Sequence, residues 1–267
     1  MVVSLTVLAS GSRGNCSVLA TSRTRVLVDA GLSARETFKR LCEAGEDAAS
    51  FSAIVITHEH SDHVHGLGTL ARKLRVPVFL TDATYQAYRR WARDKYQSGP
   101  DLPRVEHFRA GESFSIGDLE ILPFTIPHDA ADPVGFAFRA EGVKIAIATD
   151  LGYVPASIVE HLRGCVGMII EANHDLEMLR GGPYPWAVKQ RVMSRVGHLS
   201  NDALADFLAD DYDGSASFLV LGHLSEQNNH PELARRAAQQ ALGSRSGGER
   251  QQLLLASQTQ PLPAIRV

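Results

Sequence analysis

Cysteine is scarce in this chain of 267 residues: Cys16, Cys42 and Cys165 stand far apart, are odd in number and form no CxxC pair. That pattern excludes a disulfide framework and a thiolate zinc knuckle, and unpaired thiols suit a reducing cytoplasm. There is no excess of positive charge either. The 27 Lys and Arg against 30 Asp and Glu leave a formal net charge of −3, which argues against a wholly basic nucleic-acid-coating protein but not against a local basic groove. No apolar run approaches the roughly 18 residues that a membrane span requires. The start, Met1-Val2-Val3-Ser4-Leu5-Thr6-Val7, lacks the basic segment and cleavage site of a secretory leader, so a cytoplasmic protein with no membrane partner is expected. The glycine-rich run near the start has no GK[ST], so it is not a P-loop. Aromatics make up only 7%, which limits base stacking; Tyr153, Tyr184 and Trp186 are the candidates. A hydrophobic content of 44% supports a sizeable core, and we expect residues 1–267 to form one domain.

Short β-rich runs come first, at 2–8, 17–20 and 25–29, with the turn Ser10-Gly11-Ser12-Arg13-Gly14-Asn15 between the first two. Ser33 is placed to cap a helix ending near Gly45, with Glu36 completing a capping box. The apolar run 53–57 predicts a strand buried on both faces, and it runs straight into a histidine cluster. A helical pattern follows from about 62 to 74, then a strand at 78–80 and a helix from 82 that Gln97-Ser98-Gly99-Pro100 breaks. From 105 to 150 the pattern is mostly β, with a turn at Glu141-Gly142. Beyond it the pattern predicts helices at 155–163, 184–196, 200–210 and 231–242, strands at 165–170, 217–221 and 252–256, and a surface loop at 243–248. Two β-then-α halves of this kind can pack sheet on sheet, with helices covering both outer faces.

The chemistry concentrates in His58-Glu59-His60-Ser61-Asp62-His63. Residues two apart in an extended segment point the same way, so His58 and His60 can converge on one ion. Asp62 and His63 fall where the chain turns into the next helix and offer an oxygen and a nitrogen to a second. Imidazole and carboxylate ligands suit zinc, iron or manganese. A chance cluster on a surface loop is the plain alternative, and four ligand-type residues in six directly after a buried strand argue against it.

The segment Thr57-His58-Glu59-His60-Ser61-Asp62-His63-Val64-His65-Gly66 resembles the HxHxDH signature of the metallo-β-lactamase superfamily. That resemblance implies an α/β fold, the four-layer αββα sandwich, and three further ligands at later strand ends. Matching positions are His128 after the strand 119–126, Asp150 after 143–148 and His223 after 217–221. The family pattern then implies two divalent metal ions (Zn, Mn or Fe): one held by His58, His60 and His128, the other by Asp62, His63 and His223, with Asp150 bridging. Two such ions would lie ~3.5–4 Å apart and share a hydroxide nucleophile.

The run Pro127-His128-Asp129 lacks the GHTxG of glyoxalase II and β-lactamases. Gly197-His198-Leu199-Ser200-Asn201, Gly222-His223-Leu224-Ser225-Glu226-Gln227-Asn228-Asn229, Ile170-Glu171-Ala172-Asn173 and the opening turn resemble the phosphodiesterase side of the superfamily, above all the bacterial YycJ (WalJ, VicX) group. That resemblance covers roughly residues 5–230 and implies a metal-dependent exonuclease acting on nucleic acid, DNA favoured, in the 5′-to-3′ direction. It also implies catalytic roles for Asp62, His198 as proton donor, and Glu171 orienting His198; a helix-start neighbour and an ordinary strand-end glutamate are the plain readings of the last two. Ser12, Arg13, Asn15, Asn228 and Asn229 are candidate substrate contacts, although a plain turn accounts equally well for Ser12 and Asn15. Arg35, Lys39, Arg40, Arg72, Lys73, Arg89, Arg90, Arg191 and Arg195 could add positive charge around the site or simply be solvated helix faces. His174 could reach the mouth of the site, and His65 should point away from Asp62 and His63. A hydrolase of small thioesters or lactones on the same two-metal site is the alternative, and a metal-free binding protein is disfavoured because all seven ligand positions are filled. A homo-oligomer stays open.

Overall fold

The computed structural model describes residues 2–96, 102–243 and 251–267; the break at 97–100 and the loop beyond Gly243 lie outside them. Among the described residues fourteen strands assemble into two seven-stranded sheets. The first contains β1 (Ser4–Ala9), β2 (Cys16–Ala20), β3 (Arg25–Val28), β4 (Ala53–Val55), β5 (Val78–Leu80) and β6 (Val105–His107), with β14 (Ile265–Arg266) on the outer side of β1. The second runs β7 (Phe114–Ile116), β8 (Leu119–Thr125), β9 (Val134–Ala140), β10 (Val143–Ala148), β11 (Gly167–Glu171), β12 (Phe218–Gly222) and β13 (Gln252–Leu255). Each sheet starts antiparallel and becomes parallel, from β3 onward in the first and from β10 onward in the second.

Alternation along the strands decides which side chains meet where. Val26 and Val28, Ile145 and Ile147, Ile169, and Val220 point between the sheets, where they pack with Phe136 and Phe138. The intervening Leu27 faces α1 (Ala34–Glu43), α3 (Leu67–Leu74) and α4 (Asp82–Tyr96) on the first outer face, through Leu41, Leu67, Leu70 and Tyr88. Ala146, Met168, Ile170, Leu219 and Leu221 face the other way, onto α5 (Ala156–Leu162), α8 (Asn201–Asp206) and α9 (Pro231–Gly243). The result is the four-layer αββα sandwich.

Four local expectations are modified. Ser33 caps α1 by accepting from Glu36 N, but the Glu36 carboxylate turns to Arg40 Nε at 2.8 Å instead of back to Ser33, so only half the capping box forms. The helix expected over 62–74 is two, α2 (Ser61–Val64) and α3, because Gly66 donates its N–H to Ala30 O at 2.8 Å and breaks the run. The helix expected over 184–196 is only α7 (Trp186–Val192), since His198 N bonds back to Val192 O and the chain doubles over. The helix expected over 200–210 is α8 followed by a π-helical turn at Phe207–Asp211. The short α6 (Leu176–Gly181), capped by Asp175, and β14 carry too little periodicity to be read in advance.

Candidate metal centre

The carboxyl ends of the parallel strands of both sheets open onto one edge of the sandwich, where α/β folds gather their polar groups. The donor atoms of His58, His60 and His128 lie within 4.8 Å of one another, as do those of Asp62, His63, Asp150 and His223. The chain delivers them by turning sharply at the strand ends. Asp29, Asp150 and His223 have φ of 61°, 62° and 54°, a left-handed conformation that non-glycine residues adopt at a cost of order 1–3 kcal/mol each.

Most of the imidazoles are fixed through Nδ1. That of His63 meets Asp29 Oδ2 at 2.8 Å, that of His223 meets Glu171 Oε1 at 2.8 Å, that of His128 meets the Gly197 carbonyl at 3.2 Å, and that of His58 meets the Thr57 hydroxyl at 3.0 Å. The opposite nitrogens turn inward: His63 Nε2 lies 3.4 Å from Asp150 Oδ2, His223 Nε2 lies 3.4 Å from Asp62 Oδ2, and His128 Nε2 lies 3.2 Å from His60 Nδ1. Carboxylate or carbonyl behind, free nitrogen in front: this is how proteins orient histidine toward a metal.

A metal ion fits the residues present. His58 Nε2 and Asp150 Oδ2 are buried without a hydrogen-bond partner, and each such atom costs ~1–3 kcal/mol, which a cation between them would relieve. Five imidazoles and two carboxylates suit zinc, manganese or iron.

The electrostatics of the two groups differ. Burial pushes the His58 and His128 imidazoles below the ordinary histidine range. Burial would also depress His63 and His223, but Asp150 with Asp29 beside the first, and Asp150 with Asp62 beside the second, outweigh it and raise both well above. Burial would raise the Asp62 and Asp150 carboxyls; His63 and His223 outweigh it and hold both well below the usual range. The second group is thus a mesh of paired anions and cations.

Glu171 is fully buried at the end of β11. Its Oε1 accepts from both His198 Nδ1 and His223 Nδ1 at 2.8 Å, and its Oε2 accepts from Leu151 N at 2.6 Å and Leu199 N at 3.1 Å. Burial opposes its ionisation, yet His198 and His223 bring the carboxyl down to about 2. His198 is in turn raised, burial being outweighed by Glu171. It stands beside the ligand cluster, its ring centroid 5.2 Å from that of His128 and 5.1 Å from that of His223.

The five candidate substrate contacts divide. Ser12 is exposed, and the exposed Arg13 pairs with Glu226. Asn15, Asn228 and Asn229 are buried instead. The Asn15 amide is taken up by Gly11, Asp62 and the neighbourhood of His63. Asn229 bonds Ala172 O and exchanges hydrogen bonds with Asn201, while Asn228 Nδ2 reaches Ser225 Oγ at 3.4 Å. The amides of Asn15 and Asn229 join remote segments of the protein, whereas that of Asn228 bonds within its own loop and leaves Oδ1 buried without a partner; composition cannot distinguish an amide turned inward from one offered to a ligand. His174 does not reach the mouth: it is 1% exposed, and burial brings its pKa down to about 4. Arg40 is interior, bonding the carbonyls of Leu8 and Gln258. Arg191 pairs with Asp129, next to His128, and Arg195 lies over the Tyr153 ring at 4.3 Å.

Residues 24–223 match the family described as the beta-lactamase superfamily domain. Exodeoxyribonuclease YycJ of Bacillus anthracis is 39% identical over 250 residues, covering 93% of this chain and 92% of that protein. Exodeoxyribonuclease WalJ of Streptococcus pneumoniae is 40% identical over 228 residues, covering 85% and 84%. The chain belongs to the metallo-β-lactamase superfamily, in the YycJ/WalJ group.

Solved members of the superfamily share the architecture at low identity. The metallo-beta-lactamase fold protein YhfI from Bacillus subtilis superposes with a TM-score of 0.72 at 14% identity, over the whole of both chains. A diphosphatase from the PhnP family superposes at 0.67 with 20% identity, covering 100% of this chain and 98% of the other. Within the superfamily frame, sequence reasoning missed the supporting residues. Asp29 holds His63, Thr57 touches Asp29, His58 and His63, and Asn173 Nδ2 donates to His223 O at 2.8 Å. Asp29 had a signal: it follows a buried strand and precedes Ala30-Gly31, the same strand-end placement that marked Asp150. No helix among the described residues is long and apolar enough to cross a membrane.

Proposed function

We propose that this protein is a metal-dependent phosphodiesterase that removes nucleotides from DNA ends in the 5′-to-3′ direction. His58, His60 and His128 would hold one divalent ion, Asp62, His63 and His223 a second, and Asp150 would serve both. Two cations in such a site lower the pKa of an attacking water and stabilise charge on the phosphoryl oxygens. The observation that carries the reading is the pair Glu171–His198 beside the ligand cluster, at 2.8 Å. A sugar alkoxide leaves poorly without a proton, whereas a thiolate, with a pKa near ~8.5, leaves unaided. A partly exposed histidine whose proton is retained through a buried carboxylate therefore suits phosphoester better than thioester cleavage. With Nδ1 bonded to Glu171, Nε2 of His198 is the atom that holds the proton for the leaving oxygen.

Arg13 and Arg191, now paired with Glu226 and Asp129, can exchange those carboxylates for substrate phosphates. The exodeoxyribonuclease names of the relatives at 39% and 40% identity favour DNA over RNA. Three free cysteines fit a cytoplasmic location.

The test is digestion of single-stranded DNA labelled at either end, with Mn²⁺ or Zn²⁺, alongside bis(p-nitrophenyl) phosphate and S-lactoylglutathione. Release of nucleotides from the 5′ end, stopped by chelator, is expected. Turnover of the thioester alone would reject the proposal.

A further inference from the structure

The glycine-rich turn between β1 and β2 has the composition of a phosphate cradle, but two of its polar side chains, Ser10 and Asn15, are directed at the candidate metal ligands. The N–H of His223 donates to Ser10 Oγ at 2.8 Å, and Ser10 Oγ in turn reaches Asn15 Oδ1 at 3.4 Å. Asn15 Nδ2 donates to Asp62 Oδ2 at 3.2 Å and lies 3.0 Å from His63 Nε2. Asp62 Oδ2 closes the ring by lying 3.4 Å from His223 Nε2. Residues 10, 15, 62 and 223 are thereby tied together.

The orientation of the Asn15 amide follows from its partners. Its Oδ1 accepts from Gly11 N at 2.9 Å, and its Nδ2 donates to Gly11 O at 3.2 Å as well as to Asp62. Flipped, the amide would set an oxygen against the Asp62 carboxylate and an N–H against the Gly11 N–H, so the observed sense is the one that satisfies every group. The backbone grips the same place: Asn15 N donates to Asp62 O at 2.7 Å, and Gly31 N donates to Asn15 O at 3.0 Å. From behind, Gln258 accepts from Arg13 N at 2.8 Å and donates to Gly14 O at 3.0 Å. Gly11 and Gly14, with φ of 142° and 150°, allow the turn to curl that tightly.

Among the described residues, each hydrogen bond of the Ser10 and Asn15 side chains into the site goes to the Asp62, His63 and His223 group. None goes to His58, His60 or His128; Thr57 supports the first of these and the Gly197 carbonyl the last. From this asymmetry we infer that Ser10 and Asn15 are positioning residues for one half of the metal centre only: these two side chains are a splint for the second ion's ligands, not contacts for substrate phosphate. The inference rests on the two-metal reading of the site. Removing such supporting hydrogen bonds typically weakens metal affinity by ~10–100-fold.

The test is a zinc titration of metal-free protein in metal buffers, counting ions per chain by mass spectrometry under non-denaturing conditions. Wild type, Ser10→Ala, Asn15→Ala and Ser12→Ala, whose side chain is exposed, are compared. Wild type and Ser12→Ala should take two ions. Ser10→Ala and Asn15→Ala should hold the first ion as wild type does and require ~10–100-fold more free zinc for the second. Ser10→Ala removes a single hydroxyl and decides the matter if Asn15→Ala fails to fold. Two ions bound with wild-type affinity in Ser10→Ala, or a parallel loss of both, would overturn the splint. A wild type that never takes a second ion would overturn the two-metal reading itself.

Discussion

Nδ1 of His198 donates to Oε1 of Glu171 at 2.8 Å, and the same oxygen receives His223 at the same distance. One carboxylate thus orients a proposed proton donor and a proposed metal ligand together. His198→Ala should therefore lower the turnover of a phosphodiester ~10²–10⁴-fold with metal content unchanged. Loss of metal from that variant, measured by elemental analysis, would make His198 a ligand instead.

Glu171→Gln should behave differently. It keeps the size of the side chain but removes the charge that both histidines depend on. Turnover should fall, and affinity for one ion should fall with it by ~10–100-fold. An unchanged zinc titration would show that His223 needs no carboxylate behind it.

Asp62→Ala and Asp150→Ala should abolish hydrolysis while the protein stays folded, because each removes a donor to the centre and leaves the layers of the sandwich intact. Circular dichroism and metal analysis read the two halves of this statement. Retained activity in either variant would remove that residue from the site.

Gly31→Ala should be severe. A Cβ there would fall on the carbonyl oxygen of Asp62 and come within 2.6 Å of Asn15 N, so three backbone segments would have to separate. Overpacking against backbone costs ~3 kcal/mol or more, which for a chain of this size lowers Tm by roughly 6–12 °C. A melting curve within 2 °C of wild type, an order-of-magnitude threshold from the same relation, would contradict the close approach.

Asp118, in the turn between β7 and β8, accepts hydrogen bonds from the hydroxyls of Thr21 and Thr24 and from Arg23 Nε, all in the hairpin of the other sheet. The Thr24 hydroxyl foremost, against a burial effect of opposite sign, lowers its carboxyl below the usual range. A depressed carboxyl stabilises the fold above the unfolded value, ~3.9, and loses that contribution as pH falls through the folded one. Asp118→Asn should thus melt lower than wild type at pH 7, and the gap should close below about pH 4. A gap that is equal at pH 7 and pH 3 would show that the charge plays no part.

The candidate ligand residues could be singled out in the sequence because four of them crowd into the HxHxDH run after a buried strand, and His128, Asp150 and His223 each stand at a later strand end, where this architecture gathers polar groups. Asp29 obeys the same rule and was passed over, since a single aspartate before Ala-Gly also fits a turn. The inward amides of Asn15 and Asn229 could not have been read: their partners, Asp62 and Asn201, are remote in the chain. Helix lengths erred where tertiary contacts override local preference, as at Gly66 and Val192.

The positive φ values of Asp29, Asp150 and His223 have a bearing on engineering. Any redesign that ranks residues by local backbone comfort will favour glycine or asparagine at these three corners. The redesigned molecule should be hardier and inert, because the discomfort sits at the atoms that would do the work. Attempts to toughen this protein are better directed at corners such as Arg75 and Glu141, which share the unfavourable twist but lie outside the site.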